Sequence, residues 1–145
     1  MRRRNLLQLA AAIMPMAAFI QPARAATPDG SKVVYHLADL DKVGFVLGNI
    51  RNHFDGMGGP QHVTIALVIH GPALRAFHID GAAPATAHDV EELQKAGLGL
   101  NACIHTMEGQ HVTLKDLLPG FVVAEKGGVV KLAQLQAQGY AYLRP

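Results

Sequence analysis

The chain has 145 residues, half of them apolar, with thirteen basic and eleven acidic side chains, no Trp and one Cys. That length suits one domain rather than two and supports a packed core without disulfide staples. Four basic residues (Arg2, Arg3, Arg4 and Arg24) precede the cleavage point argued below, so the rest of the chain sets nine basic groups against eleven acids. A weakly acidic domain with few aromatics argues against nucleic acid and against an anionic membrane surface as partners. A single cysteine leaves no internal disulfide to form.

In chain order, Met1–Arg4 is a basic lead and Leu6–Ile20 an apolar run broken by Pro15. Pro22-Ala23-Arg24-Ala25 ends in the small-x-small pattern that signal peptidases read, so residues 1–25 are expected to be a cleaved signal peptide and residues 26–145 the mature periplasmic domain. The apolar run is short of the roughly 20 residues a membrane span needs, so no membrane association is expected after cleavage. Arg3-Arg4-Asn5-Leu6-Leu7-Gln8 resembles the twin-arginine consensus, with Leu6 and Gln8 as weaker variants. That route implies export in the folded state.

After a polar lead-in through Ser31, strand-like runs alternate with helical patterns. Lys32–Leu37 reads as a first strand. Val43, Val46, Leu47, Ile50 and Phe54 fall on one face of a helix over 41–54, which Asp39 or Asp41 could cap. Asp55–Pro60 breaks it. Val63–Ile69 is a near-continuous β-branched run, as in a strand buried on both faces. Ala73–Phe77 reads as a helical turn and residues 79–85 as loop. A second helix is expected from Thr86, with Asp89 completing an approximate capping box, ending at Gly97. Residues 98–104 read as a third strand, a short helix as starting at Thr113, and Phe121–Ala124 as a fourth strand. Gly127–Gln138 reads as a last helix and Tyr140–Leu143 as a terminal strand. This alternation predicts βαβ units, an α/β fold and a mostly parallel sheet.

Open parallel sheets bind ligands at the carboxyl ends of their strands. Three such ends carry polar residues: His36 after the first strand, His70-Gly71 after the second, and Cys103, His105 and Thr106 after the third. Cys103 and His105 are two apart, so on an extended chain their side chains share a side. A thiol becomes a useful nucleophile when an imidazolium or a helix N-terminus lowers its pKa. Against this, a lone cysteine at the end of a buried strand is often just a small hydrophobe. The remaining histidines suggest no role. Gly56-Met57-Gly58-Gly59 precedes a strand rather than a helix, which is the wrong context for a dinucleotide fingerprint. Asp39 and Asp41 are too isolated for a metal site, and no cofactor is expected.

The segment Gly97-Leu98-Gly99-Leu100-Asn101-Ala102-Cys103-Ile104-His105-Thr106-Met107 resembles the strand-to-cysteine segment of the DsrE/DsrF-like sulfur-relay family. The opening Lys32–Leu37, the strand end Val68-Ile69-His70-Gly71 and the closing residues 136–145 resemble the same family, in the same order. The resemblance implies a flavodoxin-like sandwich with helices on both faces of the sheet, and assembly into a trimer or hexamer. It also implies that Cys103 accepts sulfane sulfur as a persulfide and exchanges it with donor and acceptor proteins. Members with this activity usually work in the cytoplasm, from which an export signal departs.

The expected function is therefore a periplasmic sulfur carrier, sulfurtransferase-like if active. Cys103 would be the nucleophile and His105 and His70 its pKa-lowering or proton-handling neighbours, with His36, Gly71, Asn101 and Thr106 lining a ligand site. Two alternatives belong to other classes. One is a binding module for a small ligand or a soft metal such as copper or zinc, using Cys103, His105 and His70 or His36. The other is a structural homo-oligomer whose thiol is inert.

Overall fold

Short β-branched runs and amphipathic stretches give the chain its order of elements. These are β1 (Ser31–Leu37), α1 (Val43–Gly56), β2 (Val63–Ile69), α2 (Pro84–Lys95), β3 (Gly99–Cys103), α3 (Ile104–Gly109), β4 (Phe121–Ala124), α4 (Gly128–Ala137) and β5 (Ala141–Leu143). Turns of 3-10 helix occupy Leu40–Lys42, Gly71–Phe77 and Leu114–Asp116. The computed structural model describes residues 30–145; the signal peptide expected over 1–25 lies outside the described residues.

The five strands form one sheet in the order β4-β3-β2-β1-β5. Every neighbouring pair is parallel, so the mostly parallel sheet expected from the alternation is wholly so. The architecture is α/β and flavodoxin-like. β1 to β4 are laid down successively in one direction, and β5 then returns to the far side of β1. The order therefore reverses at β1, and α4 must cross the sheet from one edge to the other to make that return.

Strand alternation sorts the core into two layers. Val33, Tyr35, Leu37, Ile65, Leu67, Ile69, Leu100 and Ala102 share one cluster with Val46, Leu47 and Ile50 of α1 and Val90 and Leu93 of α2. Val34, Ala66 and Val68 form a smaller cluster with Leu132 and Leu135 of α4. Coverage on both faces is why β2 reads as a continuous apolar run. Burying a side chain such as Ile50 stabilises the fold by roughly 1.5–3 kcal/mol.

Local departures have local causes. Neither Asp39 nor Asp41 caps α1; a 3-10 turn precedes the helix, and Asp39 instead meets Arg144 at 3.3 Å. α2 starts at Pro84, whose fixed φ suits the first helical turn. Asp89 then lies inside α2 and pairs with Arg51 of α1 at 2.6 Å, so the capping box expected at Thr86 does not form. A capping box does form at Thr113, where none was expected, with Asp116 as its partner. The third strand ends at Cys103, and Ile104 opens a helix where extended chain was expected.

Candidate functional site

The strand ends named by sequence meet on the α4 side of the sheet. Odd-numbered residues of β1 and even-numbered residues of β3 point into the larger core, so His36, Asn101 and Cys103 point the other way. The same alternation carries His70, one residue past β2, to that side. Register sets their levels. Ile69 pairs with Ala102, and the His70 N–H donates to the Leu37 carbonyl at 3.1 Å, so His70 and Cys103 sit side by side at the next step. The Cβ atoms of both lie 3.3 Å from the point where a Cβ on Gly128 would stand, hence no more than twice that apart. A Cβ at position 128 would be packed tighter than is usual against both side chains, so glycine suits the first turn of α4 here.

Cys103 is 6% exposed. Burial raises its pKa, but the backbone N–H of Gly128, the N–H and hydroxyl of Thr106 and the N–H of His105 all face the sulfur and outweigh burial, leaving the thiol below its ordinary value. The donors come from the first turns of α3 and α4, whose N–H groups lack partners within their own helices. The thiol makes no close capping hydrogen bond within α3. This is in keeping with sulfur, a weak acceptor while protonated.

Gly71 and Thr106 brace this arrangement. Gly71 has φ 62°, a conformation that favours glycine. Its N–H donates to Thr106 Oγ1 at 2.9 Å, and its carbonyl accepts from Gln110 Nε2 at 2.9 Å. Thr106 thus accepts from the β2 loop while its own hydroxyl proton remains free to face Cys103. Asn101 lies two residues below Cys103 on the same face, with Nδ2 donating to the Leu67 carbonyl at 3.4 Å.

His105 differs from expectation. Because α3 begins at Ile104, the ring does not follow the Cys103 side chain. It is 71% exposed, sits 3.5 Å from Glu108 and packs against Gly127. What His105 turns toward the sulfur is its backbone N–H. A ring on an extended strand and an N–H on a helix are alternatives, and the turn into α3 selects the second.

His36 and His70 meet each other. Their Nε2 atoms are 2.5 Å apart and their ring centroids 4.6 Å, so the rings meet nitrogen to nitrogen rather than face to face. The Nδ1 of His36 lies 2.6 Å from the Tyr142 hydroxyl of β5. Burial, the neighbouring His70 and then Arg144 lower the His36 pKa to about 4, against a smaller opposing effect of Asp39. Burial, followed by Arg144, lowers that of His70 as well. A neutral pair cannot supply an imidazolium to Cys103, so the N–H groups, not a histidine charge, account for the lowered thiol pKa. Among the described residues no three His, Cys, Asp or Glu side chains group as a metal site.

Sequence reasoning missed Gly128 and Tyr142. Gly127-Gly128 at the head of a helix was a readable signal for close approach, whereas nothing local distinguishes Tyr142. It reaches His36 because β5 joins β1, where strand order reverses and parallel sheets bind ligands.

Compared with known families and curated proteins, the chain matches no family model and no curated protein. Among solved structures it is similar to the protein of unknown function MTH1491 from Methanobacterium thermoautotrophicum. The two are 28% identical, and the match covers 79% of this chain and 99% of that one with a TM-score of 0.70.

Proposed function

We propose that the protein is a sulfur carrier in which Cys103, as thiolate, takes up sulfane sulfur as a persulfide and hands it on. The observation that carries this reading is the ring of donors around the sulfur: three backbone N–H groups and one hydroxyl, from two helix starts, that favour the ionised form. A buried cysteine that merely filled space would have its pKa raised by burial with nothing to offset it. The same donors would stabilise the terminal sulfur of a persulfide, which is also anionic at neutral pH.

The resemblance of residues 97–107 to the DsrE/DsrF-like sulfur-relay family supports the reading independently of geometry. It also supports assembly as a trimer or hexamer, to be read by light scattering. The signal-like residues 1–25 support work in the periplasm. The soft-metal alternative gains nothing from the site, since His36 and His70 spend their facing nitrogens on each other and His105 points elsewhere.

The test is intact mass after incubation with polysulfide. The wild-type protein is expected to gain one sulfur, about 32 Da, at the thiolate that favours such attack. Cys103→Ser is expected to gain none. A folded wild-type protein with a free thiol and no added sulfur would refute the proposal.

A further inference from the structure

Gly71 is held at both of its polar groups from one short helix. Its N–H donates to Thr106 Oγ1 at 2.9 Å, and its carbonyl accepts from Gln110 Nε2, also at 2.9 Å. Thr106 lies in α3 and Gln110 caps its end, one turn further on, so the two side chains share a face. Gln110 is fixed in turn by His78, whose Nε2 lies 2.8 Å from Gln110 Oε1. The polarity of this series follows from its members. A backbone carbonyl only accepts, so the Gln110 atom facing Gly71 is the amide nitrogen. The Gln110 oxygen then faces His78, so His78 Nε2 carries a proton and donates. Every bond runs inward: His78 to Gln110, Gln110 to Gly71, Gly71 to Thr106.

The last donor is the Thr106 hydroxyl. Cys103 is the N-cap of α3 and Thr106 the third residue of the helix, a position that an N-cap side chain faces. A helical threonine hydroxyl can instead turn its proton to a backbone carbonyl of the preceding turn. The Gly71 N–H occupies a lone pair of Oγ1 and so restricts where that proton turns. The Gln110 bond ties Gly71 in the left-handed conformation, φ 62°, from which this N–H is delivered.

We propose that Gln110 is a positioning residue for the Cys103 thiolate: by tying down Gly71 it directs the Thr106 hydroxyl proton at the sulfur. The assignment rests on the reading of Cys103 as the sulfur-accepting thiolate. Gln110 acts only through the share of thiol that is ionised. The titratable groups around the thiol are His70 and His36 at the strand ends and His105 with Glu108 on α3. His78 and Asp116 stand at the outer end of the series. Gln110 is uncharged, so replacing it leaves all of these charges in place.

The test is the iodoacetamide rate of Cys103 against pH in Gln110→Met, which keeps the length of glutamine and removes its donor and acceptor. The thiolate share at a pH below the titration is expected to fall about threefold, part of what losing the hydroxyl itself would do, since the proton stays and only its direction is lost. The more basic thiolate that remains is more nucleophilic, so alkylation at neutral pH is expected to be about twofold slower. On the alkaline side, where the thiol is ionised in both proteins, Gln110→Met should match or exceed wild type. His78→Leu removes only the outer donor and should move the curve the same way by less, which keeps the assignment testable if Gln110→Met does not fold. In a Thr106→Val background Gln110→Met should move the curve no further, because the hydroxyl it acts through is gone. An unmoved curve in the variant that folds, equal slowing at every pH, or a full shift in the Thr106→Val background would overturn the assignment. Intact mass after polysulfide runs beside it: no sulfur gained by the wild-type protein would defeat the persulfide reading, whatever the pH–rate curves show.

Discussion

Thr106→Val separates the donors around Cys103 from simple burial. Valine keeps the shape of threonine and removes two interactions: the hydroxyl facing the sulfur and the acceptor of the Gly71 N–H at 2.9 Å. A hydrogen bond to a charged group is worth roughly 1.5–3 kcal/mol, and at the lower end of that range the thiolate population at a pH below the titration should fall about tenfold. The remaining thiolate is more basic and so more nucleophilic. With a Brønsted slope near one half this recovers about threefold, leaving alkylation roughly threefold slower at neutral pH. The orphaned, half-buried Gly71 N–H should cost about 1 kcal/mol of stability, or roughly 3–5 °C in Tm for a domain of this size. Thr106→Ser keeps the hydroxyl and should keep both properties near wild type. The assay is the iodoacetamide rate against pH beside a thermal melt. A lowered folded-state thiol pKa contributes stability above the unfolded value, lost as pH falls through the folded one. The advantage of wild type over Thr106→Val should therefore widen on the alkaline side. A pH–rate curve unmoved by Thr106→Val would refute the reasoning.

Gly128→Ala should destabilise the fold by about 1 kcal/mol, because crowding against the Cβ atoms of Cys103 and His70 at 3.3 Å outweighs the helix propensity gained; a higher urea midpoint than wild type would contradict it. His36, with a folded pKa of about 4 against 6.5, binds its proton more readily when unfolded, so stability is intact above pH 6.5 and is lost as pH falls toward 4. The loss is on the order of 2–3 kcal/mol, and urea midpoints across that window should fall less steeply in His36→Gln. Replacing Arg3 and Arg4 together by Lys should block export and leave residues 1–25 attached, as mass of the cell-fractionated protein will show; continued export would point to the general secretory route.

Much of the fold was legible because periodicity is a local property. The continuous run Val63–Ile69, the apolar face of Val43–Phe54 and the breaks at Gly97 and Pro119-Gly120 each report whether one or both faces of an element are buried. That the strand ends carrying His36, His70 and Cys103 lie near one rim followed from the parallel α/β fold. The turn at Cys103 did not follow, since Ile104–Gly109 is a single short helix whose stability comes from what it packs on rather than from its own propensity. That turn decides that His105 offers an N–H and not a ring.

The chain's own order of residues determined the α/β class, the helix faces and the strand that carries the cysteine, since each follows from spacing within a few residues. Only the tertiary structure decided which groups meet. Gly128 reaches Cys103 because α4 crosses the sheet between its two edges, and Tyr142 reaches His36 because β5 adds to β1 on the side opposite β2. Both contacts join residues far apart in sequence, and their geometry is set by sheet order and register, which no short window of the chain contains.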